Sequence, residues 1–208
     1  MTRKTLIIAL ISLFAGGLLS AATPDLEQLA RDHKLTLRRD DRRGVSTLMP
    51  RGLSPRASLF IYLLKHDADQ GLTLRLRINH FAREQLFLKN FLFDIDGTEG
   101  NLEVRGTVRT QDLFKTNQPG STSFNEGLDG DGMSQISGAG AGGILEYYDI
   151  AINAEEYELI RQVAAGRRVK LRYIGTRGYR QLKIHGSEIK ALRTVLAALA
   201  AQAPAGDE

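Results

Sequence analysis

The sequence predicts an α+β fold: an antiparallel β-sheet of roughly six to eight strands, covered on one face by two C-terminal amphipathic helices. Three observations carry this. Residues 57–109 hold four runs rich in β-branched and aromatic residues, separated by gaps too short for a parallel crossover. Residues 153–201 alternate strand and helix periods, with apolar residues three and four apart in the helical parts. The chain has 208 residues, 42% of them apolar and 25% charged, which suits one ordinary domain or two small ones and excludes a disordered chain.

The first 22 residues are excluded from that domain. Arg3 and Lys4 precede the apolar run Leu6 to Leu19, and Ser20-Ala21-Ala22 supplies a small-residue cleavage site. This is the pattern of a secretory signal cut after Ala22, and its apolar run is short of the ~20 residues that span a bilayer. The expected destination is the periplasm or the exterior, with no transmembrane segment after cleavage. The chain has no Cys, so thiolate metal sites, a cysteine nucleophile, a lipid anchor on Cys and disulfides are all excluded. An exported domain without disulfides holds its fold by burial alone.

The single domain is then 23–208. Pro24 and the spacing of Leu26 and Leu29 predict a short helix over 24–34, and Arg38-Arg39-Asp40-Asp41-Arg42-Arg43 reads as a solvated charged link. Strands follow at 58–64, 72–81, 86–95 and 101–109. Leu72, Leu74, Leu76 and Ile78 alternate with Thr73, Arg75 and Arg77, so one face of that sheet is core and the other wet. Residues 110–143, with seven glycines from Gly127 to Gly143, read as a long loop.

The C-terminal unit, 144–201, is the most regular. A strand at 144–152 leads to Asn153, which with Glu156 has capping-box spacing at the head of a helix ending at Gly166. Strands at 168–174 and 179–184 flank a Thr176-Arg177-Gly178 turn, and a helix runs from Ser187 to about Ala201. Tyr157, Ile160 and Val163 or Ala164 supply one apolar stripe; Ile189, Leu192, Val195, Leu196 and Leu199 supply the other. Ile152, Glu156, Arg161, Val163 and Ala165 recur 32 residues later as Ile184, Glu188, Arg193, Val195 and Ala197, which reads as a duplicated strand–cap–helix unit.

Four strings invite a catalytic or metal-binding reading. Phe91-Leu92-Phe93-Asp94-Ile95-Asp96-Gly97-Thr98 resembles the first motif of haloacid-dehalogenase-type phosphohydrolases, which implies Asp94 as nucleophile, Asp96 as acid/base and Mg²⁺ on the phosphate. That family needs parallel strands joined by helices, whereas a hairpin turn at Asp96-Gly97 accounts for the same residues. Asp94, Asp96, Glu99, Asp129 and Asp131 offer oxygen ligands for a calcium-stabilised surface, but in no EF-hand register. Gly138-Ala139-Gly140-Ala141-Gly142-Gly143 precedes a strand and lacks the Gly-Lys-Ser/Thr of a nucleotide loop. His33, His66, His80 and His185 read as surface or cap residues, and no serine sits in a nucleophile elbow. The sequence therefore assigns no catalytic residue, no metal site and no cofactor.

What remains is charge. After cleavage the chain carries 26 basic and 24 acidic residues, yet 110–149 nets −5 and 150–208 nets +4. Arg168, Lys170 and Arg172 share one face of a strand whose other face is Val169, Leu171 and Tyr173, and Arg75 with Arg77 form a second basic face. Were the two strands neighbours, these five cations would line one sheet surface. Its expected partner is an anionic cell-envelope polymer or another exported protein. Nucleic acid is disfavoured by export and by a near-neutral total.

Glu146-Tyr147-Tyr148-Asp149 before a capped helix, Arg172-Tyr173-Ile174-Gly175, Tyr179 and the helix Ala191-Leu192-Arg193-Thr194-Val195-Leu196 together resemble the C-terminal half of an uncharacterised group of exported bacterial domains. The resemblance covers about 144–200. It implies export and a fold, with no activity and no catalytic residue.

Overall fold

A computed structural model of the chain describes residues 25–54, 56–69, 71–113 and 143–202. The export signal expected over 1–22 and most of the glycine-rich stretch, including Asp129 and Asp131, lie outside these residues.

Helix α1 (Leu26–Asp32) is followed by strands β1 (Leu35–Asp40), β2 (Val45–Pro50), β3 (Leu59–His66), β4 (Thr73–Ala82), β5 (Leu88–Ile95), β6 (Thr98–Glu103), β7 (Arg109–Asp112) and β8 (Ile144–Ala151). Helix α2 (Ala154–Ala165), strands β9 (Val169–Gly175) and β10 (Gly178–Lys183) and helix α3 (Gly186–Ala200) complete it. The α+β class stands, with the strands shared between two antiparallel sheets. One has the order β1-β2-β3-β4-β8-β7, the other β10-β9-β5-β6.

The split arises at residues 82–88. The free edge of β4 is taken by β8 over eight residue pairs, so the chain leaving β4 crosses to the other sheet, where β5 pairs with β6 and β9. The expected hairpin across 82–85 is therefore a crossover between sheets. The charged link at 38–43 is also different: Arg38 to Asp40 belong to β1, paired residue for residue with β2. Leu35, Leu37 and Leu48 supply the apolar side of that hairpin, and its charges fall on an edge strand, where they guard against pairing with other chains. The strand expected at 101–109 is two, since β6 begins at the Asp96-Gly97 turn and β7 pairs with β8.

Both sheets turn their apolar faces to one core. Leu59, Ile61 and Leu63 of β3, Leu74, Leu76 and Ile78 of β4, Phe91 and Phe93 of β5 and Val169, Leu171 and Tyr173 of β9 meet Ile160 and Val163 of α2 and Ile189, Leu192 and Val195 of α3. Helix α3 lies on β2 and β3, while α2 packs beside α3 and against β5. Val45, Met49, Phe60, Tyr62 and Leu64 form a smaller apolar cluster on the opposite face of the six-stranded sheet.

Both long helices start with a reciprocal capping box. Asn153 Oδ1 accepts the Glu156 N–H and Glu156 Oε2 accepts the Asn153 N–H, at 2.9 and 2.8 Å. At α3 the helix starts at Gly186, one residue before the expected Ser187, and the cap is His185: its Nδ1 accepts from the Ser187 N–H and Glu188 Oε2 accepts the His185 N–H at 2.8 Å. The 32-residue echo thus marks two capping boxes at corresponding positions, Asn153 with Glu156 and His185 with Glu188. The strands before them, β8 and β10, belong to different sheets.

Candidate functional site

The β9–β10 hairpin places the basic residues as the alternation requires. Val169, Leu171 and Tyr173 are buried, and Lys170 and Arg172 between them are exposed, as is Arg168 just before the strand. Successive cations on this face are about 7 Å apart, two residues of an extended strand. Antiparallel pairing then adds Lys183 opposite Lys170, Gln181 opposite Arg172 and Tyr179 opposite Ile174.

Neighbouring side chains fix these cations. Lys170 Nζ lies 3.0 Å from Asp94 Oδ2. Arg172 donates from Nε and Nη2 to Gln181 Oε1, at 3.1 and 3.0 Å, and its guanidinium sits 5.5 Å from the centre of the Tyr179 ring. Between these groups and β6 lies an open cleft of about 290 Å³, lined by Leu92, Asp94, Glu99, Lys170, Arg172 and Gln181. The face is divided by sign: β9 and β10 carry Lys170, Arg172 and Lys183, and β5 and β6 carry Asp94, Glu99 and Glu103 in the same cross-strand rows.

Arg75 and Arg77 are elsewhere. They lie on β4, in the other sheet, so the five cations do not share one surface. Arg75 Nε donates to Asp149 Oδ1 and to the Tyr62 hydroxyl, both at 2.9 Å, and Tyr62 donates to Asp149 Oδ2 at 2.8 Å. Arg77 is 1% exposed; its guanidinium lies 4.1 Å from the centre of the Tyr147 ring, with Nη1 3.7 Å from Asp149. Burial opposes the Arg75 charge, but Asp149 and Tyr62 outweigh it and hold the guanidinium above its ordinary range. This network stitches β3, β4 and β8 together, a structural role that alternation on β4 alone did not reveal.

Asp94 and Asp96 form a turn. Asp96 and Gly97 both have positive φ, +53° and +93°, as the tight Asp-Gly turn joining β5 to β6 requires. Lys170 and then the Gly97 N–H hold the Asp94 carboxyl below the usual range, and the Arg167 and Arg168 N–H groups do the same for Asp96. Strand β5 is antiparallel to both neighbours, where the phosphohydrolase arrangement needs parallel ones. Among the described residues no three acidic or imidazole side chains converge as metal ligands.

Two buried groups stand apart from the sequence reading: Glu146 has no role in it, and His80 is placed by it at the surface or a cap. Glu146, on β8, is almost wholly buried, and its carboxylate accepts the N–H groups of Leu86, Phe87 and Leu88 at 2.5, 2.8 and 3.3 Å. Phe87 there has φ +55° and its ring is exposed, with the Arg177 guanidinium 4.9 Å from the ring centre. The signal was a carboxylate inside the apolar run Ile144-Leu145-Glu146-Tyr147-Tyr148. His80 is likewise no surface residue: it is buried with its ring 4.8 Å from that of Tyr173, and burial pushes its pKa down against the pull of Glu146. Of the other histidines, His33 and His185 cap helices and His66 is exposed at the end of β3.

The chain matches no family model, no curated protein and no solved structure. No helix among the described residues is long and apolar enough to cross a membrane.

Proposed function

We propose that the protein is a non-catalytic binding module of the cell exterior or periplasm, and that it contacts an anionic envelope polymer through the outer face of the β9–β10 hairpin. The observation that carries this is local charge. Residues 167–183 include seven cations and no acid, and the hairpin lies at the edge of the four-stranded sheet with its charged side chains exposed. Cations at regular spacing along an exposed strand raise the local concentration of a polyanion, an attraction that salt screens. Export rests on the Leu6 to Leu19 run and the cleavage site after Ala22, and on the resemblance of 144–200 to exported bacterial domains. Arg75 and Arg77 drop out of the contact surface because they lie in the other sheet, bound to Asp149 and with Arg77 buried, whereas Lys170 and Arg172 stay exposed beside their own partners.

Charge reversal at Arg168, Lys170 and Arg172 tests the proposal. The parent protein should be retained on isolated envelope material and on a phosphate-bearing resin in a salt-sensitive manner, and the triple Glu variant should elute without retention. Equal retention of the two proteins would overturn it.

A further inference from the structure

We infer that the polymer is an acidic glycan, so that the surface reads sugar rings as well as anionic groups; this rests on the anion-binding reading above. Phe87 and Tyr179 are the exposed large hydrophobic residues among those described, at 42% and 63%. Both sit at one end of the four-stranded sheet. Tyr179 directly follows Gly178, Gly178 pairs with Gly175, and Gly175 pairs with Leu88, the residue after Phe87. The Thr176 N–H of the hairpin turn also donates to the Phe87 carbonyl at 3.2 Å. The two rings therefore flank the same hairpin tip, two strands apart, or about 10 Å between backbones.

Each ring lies beside a guanidinium of the hairpin, Arg177 for Phe87 and Arg172 for Tyr179. A simple polyanion would need the guanidiniums and no rings. Exposing an aromatic side chain forgoes the free energy of burying it, and Phe87 additionally occupies the left-handed region, which non-glycine residues seldom adopt. A pyranose ring meets this arrangement on both counts: its apolar C–H face packs on an aromatic ring, and its carboxylate or phosphate takes N–H donors of the adjoining guanidinium, for Arg172 those other than the Nε and Nη2 bonds made to Gln181.

The acidic half of the sheet, Asp94, Glu99 and Glu103, repels any polyanion laid across it, glycan and single-stranded nucleic acid alike, and so confines the ligand to the β9–β10 side. Hydroxyl chemistry favours the glycan there: at the margin of the hairpin these carboxylates and Asn101 are acceptors and donors for sugar hydroxyls, which a deoxyribose–phosphate backbone lacks. The geometry thus favours a glycan lying along the hairpin, with its rings at the Phe87–Tyr179 end.

The test uses the parent chain and four probes: polygalacturonate, polyacrylate of matched charge but without rings, polyphosphate, and a thymidine oligonucleotide. Binding to polygalacturonate should exceed that to the other three by about tenfold, the scale of one aromatic contact. Phe87→Ala and Tyr179→Ala should remove that preference and leave polyacrylate binding in place; Tyr179→Phe should retain it. A chain that binds polyacrylate and polygalacturonate alike, with both Ala variants unchanged, overturns the glycan inference and leaves anion binding intact. Tightest binding to the oligonucleotide also overturns it. No salt-sensitive binding to any probe removes the underlying reading and this inference with it.

Discussion

The buried carboxylate of Glu146 sets the backbone of Phe87. Its Oε1 accepts the Phe87 N–H at 2.8 Å and that of Leu88 at 3.3 Å, while Oε2 takes the Leu86 N–H, so three consecutive donors converge on one side chain from another sheet. The stretch between the two sheets has no strand partner of its own here, and a buried N–H without an acceptor is costly. Glu146→Gln presents an amide N–H₂ to one of these donors. The variant should lose about 2 kcal/mol of stability, read as a shift of the urea midpoint at unchanged slope.

Gly175 is the other requirement of this crossing. A Cβ there would lie 2.1 Å from the Leu86 carbonyl oxygen, a backbone atom that cannot step aside. Gly175→Ala should cost about 3 kcal/mol and displace the Phe87 segment, detectable as faster amide exchange at residues 86–88.

His80 gives a pH signature. Burial lowers its pKa from the ordinary 6.5, so the folded protein binds fewer protons than the unfolded chain as the solution is acidified. Stability contributed by the neutral ring is complete above that ordinary value and is lost as pH falls through 6.5 toward the lowered one. The neighbouring charges are Glu146, which opposes the shift, and Arg180, which adds to it. Denaturant midpoints at about pH 7.5 and about pH 5.5 should differ in the parent chain and differ less in His80→Gln.

Asp149 holds Arg75 and Arg77 on the six-stranded sheet. Asp149→Asn should destabilise the protein by about 2 kcal/mol, less than a wholly enclosed pair would, because Arg75 keeps contact with water. Retention on anionic resin should be unchanged at temperatures where the variant is folded, which separates this network from the β9–β10 surface.

The two capping boxes should not be equivalent. Asn153→Ala removes one cap bond and should cost about 1 kcal/mol. Glu188 caps α3 and also accepts the N–H groups of Ser58 and Leu59 through Oε1. Glu188→Ala should therefore cost about 3 kcal/mol in thermal or chemical unfolding, since three donors lose their acceptor at once.

Much of this was legible in the chain because the relevant rules are local. The Asp96-Gly97 turn, the Asn153 cap and the alternation of Val169 to Tyr173 each need only neighbouring residues to be recognised. The division into two sheets was not legible, because it depends on β8, more than 60 residues downstream, claiming the edge of β4. Arg75 and Arg77 looked like Lys170 and Arg172 for the same reason: alternation shows which residues share a face, and only pairing shows what stands opposite. There, Asp149 and Tyr62 meet one pair, and Asp94 and Gln181 the other. The β1–β2 hairpin was hidden because edge-strand charges imitate a solvated link.

The bond from Ser58 to Glu188 spans 130 positions of the chain. Neither sheet closes early: the first waits for β8 and the second for β9 and β10, all beyond residue 143. Contacts this remote in sequence slow the search for the native state. The strands of residues 35–112 therefore form no complete layer by themselves, and the segment 144–200 decides when the two sheets can close on one core.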